Sequence, residues 1–559
     1  MNEVRLNPLD TAWLFTESRA TPNHVGGLLQ FRLPADAPRD FVGRLMADFR
    51  AHRHFVAPWN RRLKFNFTKN PVPAWVEEAD DAIDLEYHVR HAALPFPGGE
   101  RELGELVGRL QSTPLDLSRP PWECTLIEGL DDGRFALFVK IHHALIDGIS
   151  GMKLLQRAMA PDAGRSLGLP PFWASGAAAA PRRERAGGTL PTVANATAAA
   201  VQALGGQARS VPHLLAAFGK MLRRVGDRDE GMALPFDAPH SALNGRVREK
   251  RRFATQQFEL ARLRALAEAA HCTLNDIVLA LCGGALRRFL LEREALPEAP
   301  LTAGIPVSVR PRDDEGTGNA ITFIVATLGT DLADAGERLQ AVRRSVQHAK
   351  AHVQGLPRQA MLQYTMLLMA PTILTLLSGA GGRMRPMFNV TISNVPGPDK
   401  PLFFRGAELV AIYPVSIVTH GQALNITCES YAGQMNFGFT GCHASLPSLQ
   451  RLAVYAADAL QELEAAVLPR AGRAAAGARQ AATRQTGAQV AAKAGAKAGG
   501  RTARPSTGGA TVKTAGKTAG KTTGKAKGKA KGKAAGPTST RPPDQAPRAP
   551  RSGRRRPTA

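Results

Sequence analysis

"FVKIHHALIDGISG", Phe138–Gly151, ends an apolar run in two histidines and places an Asp-Gly pair four residues after the second of them. Arg134 to Ile141, "RFALFVKI", is rich in Phe, Val and Ile over eight residues and reads as a largely buried strand. Behind Ser150, a candidate N-cap, Met152, Leu155 and Met159 recur at helical spacing. His-His-x-x-x-Asp-Gly is therefore the connection from a strand to a helix.

Chance explains that pattern poorly. With 14 histidines, 47 acids and 54 glycines in 559 residues, the full spacing is expected roughly three times in a thousand such chains. A general base must reach a hydroxyl, be largely neutral at pH 7 and keep one tautomer, and imidazole suits that work. The bland alternative is a hydrogen-bonded histidine pair at a strand end, with Asp147 fixing the turn. Taken alone, a histidine favours the bland reading; the whole pattern favours the base.

Length and charge bound the rest. A chain of 559 residues implies more than one domain. From Arg470 to Ala559 there are 22 Lys and Arg against one acid, Asp544, so this tail carries +21 of the net +25 and residues 1–469 the remaining +4. Basicity is a property of the tail, and a nucleic-acid role for the whole protein does not follow from it. The five scattered cysteines contain no CxxC, which points to neither a zinc site nor a disulfide framework and fits a reducing cytosol. Glu3, Arg5 and Asp10 interrupt any secretory h-region, so an intracellular protein is expected. Residues 360–382 carry no charge, yet Pro371, Gln363, three threonines and a Gly-rich end make a buried helix pair, or a helix at an apolar entrance or membrane surface, a better reading than a full span.

The periodicities divide the chain into a first half, 1–159, that ends in the His-His motif, a crossover linker at 160–245 with an apolar, helix-like stretch at 211–221, a second half at 246–468, and a disordered Lys/Ala/Gly-rich tail at 469–559. In the second half "RFATQQFEL" reads as a strand. "TLNDIVLALCGGALRRFLLERE" reads as a helix with a Thr273/Asp276 capping box and a stripe of Leu274, Ile277, Val278, Leu281, Ala285 and Phe289. Strand-like runs follow at 303–309, 320–328, 388–393 and 408–440, before a closing helix at 447–467. Two successive mixed halves predict an α/β pair of domains with a site between them.

"HHALIDG" matches the HHxxxDG motif of the acyltransferase superfamily that includes chloramphenicol acetyltransferase and peptide-synthetase condensation domains. More narrowly, the chain resembles the bacterial wax ester synthase/diacylglycerol acyltransferase family, through "LNPLDTAWLFTESRATPNHVGGLLQF" from Leu6, "PLDLSRPPW" from Pro114, "LNDIVLA" from Leu274 and "NVTISNVPGP" from Asn389. The resemblance spans about residues 5 to 468 in family order. It departs at "NDIVLA", where "NDVVLA" is expected, and in the tail.

That resemblance implies a two-domain chloramphenicol-acetyltransferase-like fold and an acyl-CoA-dependent O-acyltransferase forming triacylglycerol or wax ester from diacylglycerol or a long-chain alcohol. His143 would be the general base beside His142 and Gly148. Asp147 would shape the turn and pair with an arginine, for which Arg310 is the candidate. Asn275 and Asp276 match the ND motif, although helix capping alone accounts for Asp276. Ser393 and Asn394 would form a stiff turn near the CoA path, and Pro121 and Trp122 a wall. Acyl-CoA is a substrate, so no cofactor and no metal is implied. "GKT" at 516–518 and 520–522 lacks the leading Gly and the strand of a P-loop. The tail's charge fits an anionic membrane or lipid-droplet surface, a nucleic acid or other polyanion, or no specific partner. Two other readings stay open: a polyanion- or granule-surface-binding protein on an acyltransferase scaffold, and the same chemistry on a small alcohol or amine.

Overall fold

The computed structural model describes residues 3–6, 8–66, 70–175, 233–308, 321–354, 368–369, 371–372, 375–376 and 378–468. Arg310, the stretch 211–221, most of 360–382 and the tail from 469 lie outside the described residues.

The first half lays down β1 (Glu3–Arg5), α1 (Pro8–Phe15), β2 (His24–Arg32), α2 (Phe41–Ala51), β3 (Arg61–Asn66), β4 (Asn70–Glu77), β5 (Val89–Ala93), α3 (Glu100–Ser112), β6 (Trp122–Glu128), β7 (Arg134–His142) and α4 (Gly148–Gln156). The second supplies β8 (Arg251–Glu259), α5 (Leu260–Ala269), α6 (Leu274–Leu291), β9 (Thr302–Ser308), β10 (Ile321–Thr327), α7 (Ala335–Gln354), β11 (Val390–Pro396), β12 (Phe403–Phe404), β13 (Ala407–Val415), β14 (Leu424–Tyr431), β15 (Gln434–Cys442) and α8 (Gln450–Val467). They form a small sheet, β1-β4-β3, and two six-stranded sheets, β12-β13-β2-β7-β6-β5 and β10-β9-β11-β14-β15-β8.

β7 is apolar because both its faces are covered. Phe135, Leu137, Val139 and Ile141 enter a core with Trp59, Trp122, Phe172 and Trp173, while Ala136 and Phe138 enter another with Leu103, Val107 and Phe253. In the second lobe one face of the sheet packs on α5, α6, α7 and α8 through Ile277, Val278, Leu281, Phe289, Ile426 and Phe437. α6 is buried nearly all round rather than along one stripe. Among the described residues no single helix is long and apolar enough to cross a membrane.

The division of strands differs from the sequential one. β12 and β13 come from the second half yet join the first sheet, Leu409 opposite Phe31 and Val415 opposite Gly26. Beyond them the chain returns to the second sheet, and the crossing is tight. A Cβ on Gly438 would stand 2.0 Å from the Pro414 carbonyl, so only glycine lets β13 lie across β15. α3 likewise presses on β8 through Gly104 and Gly108, whose Cβ atoms would meet the carbonyls of Phe253 at 2.6 Å and Arg251 at 2.9 Å. Buried Arg251 completes the joint, its guanidinium donating to the Ala20 carbonyl at 2.7 Å and its N–H to Ser112 Oγ at 2.8 Å.

Candidate active site

The turn after β7 is seated in two cores at once. Ala144 and Leu145 pack with Leu6, Leu63 and Trp75 of the small sheet, and Ile146 enters the aromatic core of the first lobe. Backbone bonds fix the rest: His142 N–H to the Pro121 carbonyl at 3.0 Å and His143 N–H to the Asn23 carbonyl at 2.9 Å. Asp147, rather than Ser150, caps the helix that follows. Its carboxylate accepts from the Ser150 N–H at 2.9 Å and the Ser150 hydroxyl at 2.8 Å. An Asp with extended φ/ψ satisfies the orphan donors of the first turn better than a Ser already inside it.

The two histidines have opposite surroundings. His142 is fully buried, and both of its ring nitrogens are used. Nδ1 accepts from the Ala144 N–H at 3.1 Å, which leaves Nε2–H to donate to Glu17 at 3.1 Å. His143 is half-buried, its ring 4.4 Å from that of Trp13 and tilted by 35°. Its Nδ1 is buried without a partner of good geometry, and its Nε2 carries no hydrogen bond among the described residues. Burial pulls the imidazole down to about 4; the Asp147 carboxylate and the residue's own carbonyl oppose that, and His142 adds to it. The ring is thus neutral at pH 7, with one open nitrogen able to take a proton and a carboxylate near enough to ease the resulting charge.

The remaining expected residues are dispersed. Gly148 is exposed, and a Cβ there would meet nothing within 4 Å. Asp276 is the N3 residue of α6, 3% exposed, its carboxylate accepting from the Thr273 N–H at 2.9 Å and hydroxyl at 2.7 Å. Helix capping therefore accounts for Oδ2, while Oδ1 is buried without a hydrogen-bond partner. Asn275 is half-buried beside it, and no hydrogen bond among the described residues joins either one to the His-His turn. Ser393 and Asn394 lie within β11, not in a turn, because each takes a register position against β14. Ser393 pairs with Thr427, whose hydroxyl is 2.8 Å from that of Ser416, on the face turned toward the first lobe. Asn394 is in register with Cys428, on the face that packs into the helical core. Trp122 is a fully buried member of the aromatic core, its ring centroid 5.8 Å from that of Trp173 and 4.5 Å from that of His88.

Three neighbours were not foreseen: Trp13, Glu17 and Asn23. All fall in the Leu6–Phe31 stretch, about 120 residues before the histidines. The one available signal was polar residues, Glu17 and Asn23, bracketing a Ser-Arg-Ala-Thr-Pro turn directly before a strand.

Two mixed lobes, with strands of the second half joining the first sheet, are the two-domain fold of the chloramphenicol acetyltransferase-like class. The first condensation domain of a calcium-dependent antibiotic synthetase shares that fold, with a TM-score of 0.50 at 19% identity over 84% of this chain and 98% of that one.

The family follows from closer relatives. Residues 6–278 match the profile of the wax ester synthase/diacylglycerol acyltransferase catalytic domain, and residues 317–464 that of the WS/DGAT C-terminal domain. A wax ester synthase/diacylglycerol acyltransferase from Marinobacter aquaeolei VT8 superposes with a TM-score of 0.66 at 38% identity, over 82% of this chain and 98% of that one. A putative diacylglycerol O-acyltransferase of Mycobacterium tuberculosis is 44% identical, and an O-acyltransferase of Acinetobacter baylyi 38% identical, each over 83% of this chain and 97% of its own length. The chain belongs to the wax ester synthase/diacylglycerol acyltransferase family and is an acyl-CoA-dependent acyltransferase.

Proposed function

We propose that the protein transfers a long-chain acyl group from acyl-CoA to the hydroxyl of diacylglycerol or a long-chain fatty alcohol, with His143 as general base. The observation that carries this reading is the contrast between His142, both of whose nitrogens are engaged, and the open Nε2 of His143. Nε2 takes the hydroxyl proton as the oxygen attacks the thioester carbon. The tetrahedral intermediate then expels the CoA thiolate, which takes the proton back from the imidazolium, leaving ester, free thiol and neutral His143. Asp147 supports the imidazolium electrostatically and holds the turn from its capping position. Attack is direct, so no acyl-enzyme and no cofactor beyond the acyl-CoA substrate is called for. Substrates this apolar place the enzyme at the cytoplasmic face of a membrane or at a lipid droplet, where each cationic residue of the tail near an anionic surface adds about 1 kcal/mol.

Thiol release from palmitoyl-CoA by the full chain, with hexadecanol, with dipalmitoylglycerol and with no acceptor, tests this. Acceptor-dependent release, lost in His143→Ala, is expected, and the two rates rank the acceptors. Release that needs neither acceptor, or none with either from folded protein, overturns the acceptor assignment.

A further inference from the structure

A general base usually has the tautomer and tilt of its ring fixed by a hydrogen bond to the nitrogen that does not react. His143 lacks one. Its Nδ1 is buried and has no partner of good geometry. Orientation must then come from packing, and the ring packed on it belongs to Trp13, 4.4 Å away at 35°. Trp13 is itself held to the same anchor as the histidine. Asn23, 1% exposed, donates from Nδ2 to the Trp13 carbonyl at 2.7 Å and accepts the His143 N–H at its own carbonyl at 2.9 Å. A further Asn23 Nδ2 contact, 3.0 Å to Thr16 Oγ1, pins the end of α1.

We propose that Trp13 is a positioning residue for His143: its indole holds the imidazole with Nδ1 in the dry interior and Nε2 left open, and Asn23 clamps the two backbones to each other. The inference rests on His143 being the base. The indole acts in two ways. It stops the ring from rotating about χ2, which would exchange the two edges, and it keeps water from Nδ1. A flat aromatic side chain can do both; a branched aliphatic one can exclude water yet leaves the tilt loose, and a methyl does neither.

The test uses the full chain with Trp13→Phe, Trp13→Leu and Trp13→Ala, following kcat and KM for palmitoyl-CoA and hexadecanol. The His143 titration is read separately, by NMR of ¹³Cε1-labelled histidine assigned with His143→Gln. Phe should retain activity within a few fold. Leu should lower kcat with KM little changed, by up to about 10²-fold, the scale of a misaligned reacting group. In the Ala variant His143 should also titrate nearer its ordinary value, and the acid limb of kcat/KM should move up with it. Unchanged kcat in Leu together with an unchanged His143 titration in Ala, in folded protein, overturns the proposal. If Trp13→Ala unfolds α1, the Phe/Leu pair still decides it through kcat. Failure of the general-base reading is separate: His143→Gln would then stay active, whatever the Trp13 variants do.

Discussion

The end of β7 and the middle of β14 each carry a titratable side chain that burial holds neutral, and only the first combines an open atom with a nearby counter-charge. His143 is pulled down to about 4, half-buried, with one ring nitrogen open and Asp147 near enough to receive a positive charge. Glu429 is pushed up to about 8 by burial alone. It is 2% exposed, and its carboxyl makes no ion pair or hydrogen bond among the described residues. Across the strand pair it faces Asn436, whose Nδ2 also lacks a partner, and Gly397 leaves room for its carboxyl, since a Cβ there would come within 2.9 Å of Oε1. Desolvation by itself therefore produces a pH-sensitive weak point. Chemistry needs, in addition, an open atom and a counter-charge.

Removing the open atom should separate the two places most clearly. His143→Ala should cost about 10²–10⁴ in kcat and leave the thermal midpoint nearly unchanged, since no hydrogen bond of its ring is lost. His142→Ala should do the reverse. It leaves Glu17 Oε2 and the Ala144 N–H unpaired, at about 1–3 kcal/mol each, with a milder loss of turnover; denaturant melts and steady-state rates on the same samples separate the two effects.

The pH dependence has opposite sign at the two places. Below about 6.5 the unfolded chain takes up protons that fully buried His24 and half-buried His143 refuse when folded, so stability falls as the pH drops from 6.5 toward 4. For Glu429 the folded state binds the proton more tightly, so stability falls as the pH rises from 4.5 through about 8. Glu429→Gln should remove most of that alkaline loss without changing kcat, which midpoints measured at pH 6 and 8.5 check.

The smallest effect sharpens the role of the two caps. Asp147→Ala and Asp276→Ala should each cost about 1 kcal/mol of stability. Only the former should also lower kcat, because only Asp147 stands beside the imidazole. Equal rates in the two variants would reduce Asp147 to a cap.

How much of this was legible in the sequence follows from how local each interaction is. β7, α6 and the Thr273/Asp276 box could be read because their signals, an apolar run and an S/T-x-x-D spacing, lie within one element. Ser150 was preferred to Asp147 as cap because both are capping residues and the spacing alone does not choose. β13 could not be assigned to the first sheet. Its alternation says that one face is buried, not against which sheet, and the decisive contact, Gly438 under Pro414, joins segments 24 residues apart. Glu17, Trp13 and Asn23 escaped for the same reason: a sequence shows what a turn is made of, not which earlier turn packs on it.

The proposed mechanism turns on proton transfer through the open nitrogen of His143. It is tested most directly by following radiolabelled palmitoyl from CoA into hexadecyl ester or triacylglycerol, with equal amounts of folded wild-type and His143→Ala protein. Ester formation should fall at least about 10²-fold in the variant. Ester formed at a rate within a few fold of wild type would contradict it.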